Sequence, residues 1–296
     1  MKAIIIGGDG TVGRALAQTL RQRGDVVFST TRRSAQVSEK RPFLDLASDI
    51  DRVRLPSADI AFFCAAVVSF AECRTNAALA RRVNAVAPAK LAERFVAAGA
   101  RVVMLSTSAV YDWQTPLVPA ERKPCPVTRY GEFAAEAESA FGQLGSAASI
   151  LRLTKLLTPE LNLFVGWIDK LSLGQEIVAY SDLHISPIAI EDVMVALLAI
   201  AEEDTSGGIF QVSGAGDISY HEAAEHLAAR LGADRRLVVE RHAVEAGIPP
   251  EEVPRFASLD STRLARLTNW RAPDPYKVLD LVYGRSIEKT RKQTAL

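Results

Sequence analysis

The first thirteen residues constrain the chain most. An apolar run, Ala3 to Ile6, passes without a spacer into Gly7-Gly8-Asp9-Gly10-Thr11-Val12-Gly13, and Arg14 to Leu20 follows with helical spacing. A run that is apolar on both faces reads as a buried parallel strand. Strand, tight turn and helix in direct succession call for glycines, because the backbone must turn sharply and a pyrophosphate must approach it closely above the helix N-terminus. Two frames fit, Gly8-x-Gly10-x-x-Gly13 and Gly7-x-x-Gly10-x-x-Gly13. A plain βα turn would also use glycines, but the strand before and the helix after favour dinucleotide binding. Gly7, Gly10, Thr11, Val12 and Gly13 are then the residues bordering the pyrophosphate.

The alternation continues down the chain. Gly24 ends the first helix, and Asp25 to Thr30 reads as a second strand. An acidic residue near the end of this strand would take the adenosine ribose hydroxyls. Thr30-Thr31-Arg32-Arg33 stands there instead. Two guanidinium groups suit a 2′-phosphate, so Thr31, Arg32 and Arg33 point to NADP rather than NAD, against the blander reading of a solvated basic turn. Asp59 to Ala66 is another buried strand, ending in the small residues Cys64, Ala65 and Ala66, where a ligand can lie against the backbone. A helical region runs from Thr75 to Ala98, closed by Gly99. The strand Arg101 to Leu105 delivers Ser106-Thr107-Ser108 at its carboxyl end, the edge where ligands bind in open parallel sheets. A proline-rich loop, Pro116 to Pro126, precedes a helix headed by Tyr130, and Ile150 to Thr154 is the next strand.

This βαβ order predicts an α/β fold, a Rossmann-type doubly wound parallel sheet. We expect it to occupy residues 1–158, with 185–203 returning to it. Residues 159–184 and 204–296 are expected to form a smaller C-terminal substrate-binding part. There, Ser219 and Glu222 form a capping box for a helix that Gly232 closes, and the charged tail after Ser286 is expected to fray. His221-Glu222-Ala223-Ala224-Glu225-His226 imitates a zinc motif, but its histidines point roughly 140° apart on a helix, so no metal is expected. Net charge is zero, which gives no reason to expect a nucleic-acid or membrane-surface partner. No apolar run reaches membrane-spanning length. Three cysteines without a CxxC pair or secretory signal suggest reduced thiols and a cytoplasmic protein.

Taken together, the motifs resemble the extended short-chain dehydrogenase/reductases, nearest to the dTDP-4-dehydrorhamnose reductase-like and nucleotide-sugar epimerase/dehydratase branch. The resemblance covers most of the chain. It rests on Gly7-x-x-Gly10-x-x-Gly13, Cys64-Ala65-Ala66 where the family has Asn-Ala-Ala, Val83-Asn84-Ala85, Ser106 to Tyr111, Tyr130-Gly131, Gly174 to Ile177, Ser186-Pro187-Ile188 and Leu259-Asp260. It implies NAD(P)-dependent hydride transfer on a nucleotide-sugar, with Asp45 and Leu46 beside the adenine, Thr107 hydrogen-bonding the substrate carbonyl and Tyr130 as general acid/base. It also implies a homodimer packed through the Thr75–Ala98 region and the helix from Tyr130, whose Glu132, Glu136 and Glu138 are read as facing outward.

The chain departs from the family at one decisive place. The family reads Tyr-x-x-x-Lys, and this chain reads Tyr130-Gly131-Glu132-Phe133-Ala134. Without the lysine, a tyrosine near its reference pKa of about 10 stays protonated at neutral pH. It can donate a proton during reduction but is a poor base. An NADP-dependent keto-sugar reductase is therefore the leading expectation. The alternatives are a degenerate member that only binds dinucleotide or nucleotide-sugar, and an epimerase or dehydratase. Lys155, after the strand ending at Thr154, is the candidate to replace the missing cation.

Overall fold

The computed structural model describes residues 1–202 and 207–294. Its centre is a six-stranded parallel sheet. Five strands are β1 (Lys2–Ile6), β2 (Val26–Ser29), β3 (Ile60–Phe63), β4 (Arg101–Thr107) and β5 (Ala148–Leu153), and Gly208–Val212 is the sixth. Their order is Gly208–Val212, β5, β4, β3, β1, β2. The chain starts in the middle, winds outward on one side to β2, then returns to lay β3, β4 and β5 on the other. That reversal puts the switch point between β1 and β3, where a doubly wound sheet opens a crevice at its carboxyl edge.

The apolar run of β1 is explained by burial on both faces. Ala3 and Ile5 pack with Leu16 and Leu20 of α1 (Thr11–Gln22) and with Val193 and Leu197 of a long later helix, Ile190–Glu202. Ile4 and Ile6 pack on the opposite face with Leu91, Phe95 and Phe141. A separate apolar core gathers the C-terminal elements: Phe164, Tyr220 and Tyr283 stack at centroid distances of 5.4–5.9 Å.

Four readings of the sequence are corrected. The helical region begins earlier and is not one helix: α2 (Phe70–Thr75), α3 (Ala77–Arg81), a π turn Arg82–Val86, then α4 (Ala87–Ala97). Pro88 cannot donate to the Asn84 carbonyl, so the helix widens there. The Asn84 side chain accepts from the Val67 N–H at 2.7 Å and donates to the Val67 carbonyl at 2.9 Å. Second, Gly208–Val212 pairs in parallel with β5, so these residues belong to the main sheet and not to the smaller part. The expected boundary between 203 and 204 lies outside the described residues. Third, the tail is helical from Pro275 to Thr294, held by buried Tyr283 and Ile287. Fourth, Glu138 points inward. It lies on α5 (Arg129–Gly142) and pairs with fully buried Arg152 of β5, Nη2 to Oε2 at 2.6 Å.

The Ser219/Glu222 capping box is present, and Gly232 closes that helix with φ +74. His226 meets Asp280 at 3.0 Å. Among the described residues, no helix is long and apolar enough to cross a membrane.

Candidate active site

The glycine turn fills its own space. Gly7 has φ +94, and a Cβ there would come within 2.7 Å of Ala65. A Cβ on Gly13 would come within 2.3 Å of the Gly7 carbonyl oxygen. A side chain at Gly13 would push α1 off the turn, and one at Gly7 would push against the Ala65 backbone. By contrast, a Cβ on Gly10 would meet only the Gly7 oxygen at 3.4 Å. Gly10 is the N-cap of α1 and contributes no side-chain cap, and no acidic residue stands in the helix's first turn. The N–H groups at Thr11 and Val12 are thus left for an outside acceptor. This cradle fits a dinucleotide pyrophosphate.

A cleft of about 240 Å³ opens beside it, at the switch point. It is lined by Gly7 and Gly10, by Thr31 and Arg32 after β2, by Asp45 and Leu46, and by Cys64, Ala65 and Ala66 after β3. The structure therefore brings most of the sequence-derived cofactor residues to one cavity. Arg33 lies just past that lining, and its charge acts on Asp9. Burial pushes the Cys64 thiol up to about 12, so it is an inert, uncharged wall.

Asp9 is the residue sequence reading missed. Its carboxylate accepts from the Thr31 hydroxyl at 2.8 Å and the Arg32 N–H at 3.3 Å, and pairs with Arg41 at 2.5 Å. Burial raises its pKa, but the Thr31 and Arg32 hydrogen bonds and the Arg41 and Arg33 charges outweigh this and lower it. Two guanidinium charges, Arg33 and Arg41, thus act on one carboxylate that Arg32 meets through its backbone, and Arg41 Nε is buried without a partner among the described residues. The balance at this end of the cleft is cationic.

Thr107 and Tyr130 stand together, hydrogen-bonded side chain to side chain. Thr107 ends β4, and its hydroxyl accepts from the Ala109 N–H at 3.1 Å. Thr128 caps α5, and a Cβ on Gly131 would come within 2.0 Å of the Ala109 carbonyl oxygen. Only glycine lets the helix press this closely, which sets Tyr130 beside Thr107. Burial pushes the Tyr130 hydroxyl up to about 12, a hydrogen bond with the Thr107 side chain pulls against that, and the nearby Cys73 adds to the rise. Val67, which lines the cleft, also packs in the same small cluster as Tyr130.

Ala134 is 6% exposed and packs with Val110, Tyr111, Val118 and Leu259, so the space next to the family's lysine position is apolar. Lys155 lies on a two-residue strand paired with Pro187–Ile188. It is not among the groups acting on the Tyr130 hydroxyl. The structure unites Thr107 with Tyr130.

The sequence profile of the RmlD substrate binding domain matches residues 1–279. The chain belongs to that family. A dTDP-4-dehydrorhamnose reductase of Mycolicibacterium smegmatis is 26% identical over 284 residues, covering 91% of this chain and 83% of the relative. Among RmlD-like folds, a dTDP-4-dehydrorhamnose reductase of Bacillus anthracis, solved with NADP, superposes with a TM-score of 0.77 at 20% identity, over 96% of this chain and 99% of its own. MoeE5, solved with UDP-glucose and NAD, superposes with a TM-score of 0.79 at 22% identity, over 99% of each chain. At these identities the structural likeness establishes the Rossmann-type fold.

Proposed function

We propose that the protein is an NADP-dependent reductase of a nucleotide-linked keto-sugar, in which Tyr130 donates the proton. The observation that carries this reading is the Thr107–Tyr130 pair beside a dinucleotide cradle, with the tyrosine hydroxyl raised to about 12. The relatives' reductase activity and the NADP complex of the Bacillus anthracis protein support it.

A nicotinamide dinucleotide bound here would supply the hydride. Gly7, Gly10, Gly13 and the N–H groups of Thr11 and Val12 would hold its pyrophosphate. Asp45, Leu46 and the Cys64–Ala66 backbone would border the rest. Arg32 and Arg33, with Arg41 tethered by Asp9, favour a 2′-phosphate over a bare ribose. Thr107 donates a hydrogen bond to the substrate carbonyl oxygen, and Tyr130 gives its phenolic proton to that oxygen as negative charge builds on it. An alkoxide is more basic than even this phenolate, so the transfer runs downhill, and water then reprotonates Tyr130.

The same raised pKa makes Tyr130 a poor base, which disfavours an epimerase or dehydratase. The missing lysine favours one second reading, a family member that binds dinucleotide or nucleotide-sugar without turnover. Measuring both directions tests the proposal. Reduction of a keto-sugar nucleotide should proceed at pH 7, while oxidation of the corresponding alcohol should be at least tenfold slower at equal saturation. Equal rates both ways would contradict a tyrosine confined to the acid role.

A further inference from the structure

Trp113 carries two uncommon features at once. Its φ is +57, a left-handed backbone that a bulky residue rarely adopts. Its side chain is 5% exposed, and its indole Nε1 is buried without a hydrogen-bond partner among the described residues. Buried tryptophans ordinarily find an acceptor for this N–H. Backbone outliers of this kind gather where a ligand is held.

Its surroundings connect it to the catalytic pair. Trp113 follows the buried Tyr111 on the loop that leaves β4 directly after Thr107. Its ring meets Phe70 at 6.1 Å, and Phe70 in turn meets the Tyr130 ring at 5.8 Å. The indole therefore stands one aromatic ring away from the proposed proton donor. The loop is pinned on both sides: Asp112 pairs with Arg122 at 3.0 Å, and the Trp113 carbonyl accepts from the Phe256 N–H at 3.0 Å. This anchoring, rather than any acceptor for the indole, keeps the strained conformation in place.

We propose that Trp113 is a substrate-positioning residue whose indole N–H donates to a hydroxyl oxygen of the sugar in a nucleoside-diphosphate hexose. This rests on the reading given under Proposed function. An indole N–H is a donor only, so its partner has to be an acceptor such as a sugar oxygen. A hexose bound with its carbonyl at Thr107 and Tyr130 extends far enough to reach the next ring. For the sugar to reach it, Phe70, half-buried on a six-residue helix, has to turn aside.

Trp113→Phe keeps an aromatic ring and removes the donor. Calorimetric titration with UDP-glucose and with UDP, on wild type and variant, isolates the sugar contact. The variant should bind UDP-glucose about tenfold more weakly and UDP unchanged, as expected for one lost hydrogen bond to an otherwise unpaired buried donor. A direct readout accompanies it. In wild-type ¹⁵N spectra, the indole resonance that is lost in Trp113→Phe should move downfield with UDP-glucose and stay still with UDP. Equal weakening of both ligands, or an unmoved indole resonance with UDP-glucose bound, would overturn the role of Trp113 while leaving the reductase reading intact. Absence of wild-type binding to UDP-glucose and to dTDP-glucose alike would remove the nucleotide-linked substrate, and this subsite with it.

Discussion

At the scale of single residues, the proposed chemistry turns on position 134. Tyr130, Ala134 and Glu138 share one face of α5, and a lysine at 134 would have to thread its charge past Val110, Tyr111, Val118 and Leu259. Ala134→Lys is therefore expected to destabilise the fold by about 1–3 kcal/mol in urea titrations, from overpacking and a poorly solvated charge, instead of restoring base catalysis. A variant as stable as wild type that also oxidises alcohols would show that the pocket can open. Cofactor choice is set at the same scale. Arg32→Ala with Arg33→Ala should weaken NADPH binding about tenfold and leave NADH binding unchanged by fluorescence titration, because the proposed contact is to the 2′-phosphate alone. Equal losses for both cofactors would move the phosphate contact elsewhere, with Arg41 the next residue to substitute.

At the scale of elements, a buried ion pair joins α5 to the sheet. Arg152 is 0% exposed, binds both Glu138 oxygens, and also donates to the Tyr111 hydroxyl and the Ala120 carbonyl. This ties the helix bearing Tyr130 to the loop bearing Trp113. Glu138→Ala would strand a buried guanidinium and should cost about 3–5 kcal/mol in chemical unfolding, whereas Glu132→Ala on the exposed face should cost under about 1 kcal/mol. The contrast also shows what the sequence made legible. The buried strand, glycine turn and capping box depend on near neighbours and could be read directly. Glu138 was grouped with Glu132 and Glu136 by composition, although its spacing from Tyr130 and Ala134 puts it on the inward face. Asp9, Arg41 and Trp113 were illegible because their partners, Thr31, Asp9 and Phe70, lie far away in the chain and only the fold brings them together. The break at Asn76 and the π turn were obscured by a helical pattern that continues through both.

At the scale of the whole molecule, burial of phenols shapes the response to pH. Burial pushes both Tyr111 and Tyr130 up to about 12. Their unfolded value is about 10, so the folded state holds these protons more tightly. That contribution to stability is fully present below pH 10 and is lost as the pH rises through 12. Thermal melts should accordingly fall in midpoint across that window, and Tyr111→Phe should flatten the fall. A melting point constant from pH 9 to 12 would contradict the burial of these hydroxyls. The sheet, the cradle and the Thr107–Tyr130 pair together carry the proposed function: a reductase that works with a neutral tyrosine and without the family's helix lysine. The decisive measurement is NADPH consumption in the presence of a dTDP-4-keto-6-deoxyhexose, for wild type and Tyr130→Phe. Wild-type turnover is expected at pH 7 and should fall by about 10²–10⁴-fold in the variant, with NADPH affinity unchanged. NADPH binding without turnover in the wild type, or a Tyr130→Phe variant as active as its parent, would contradict it.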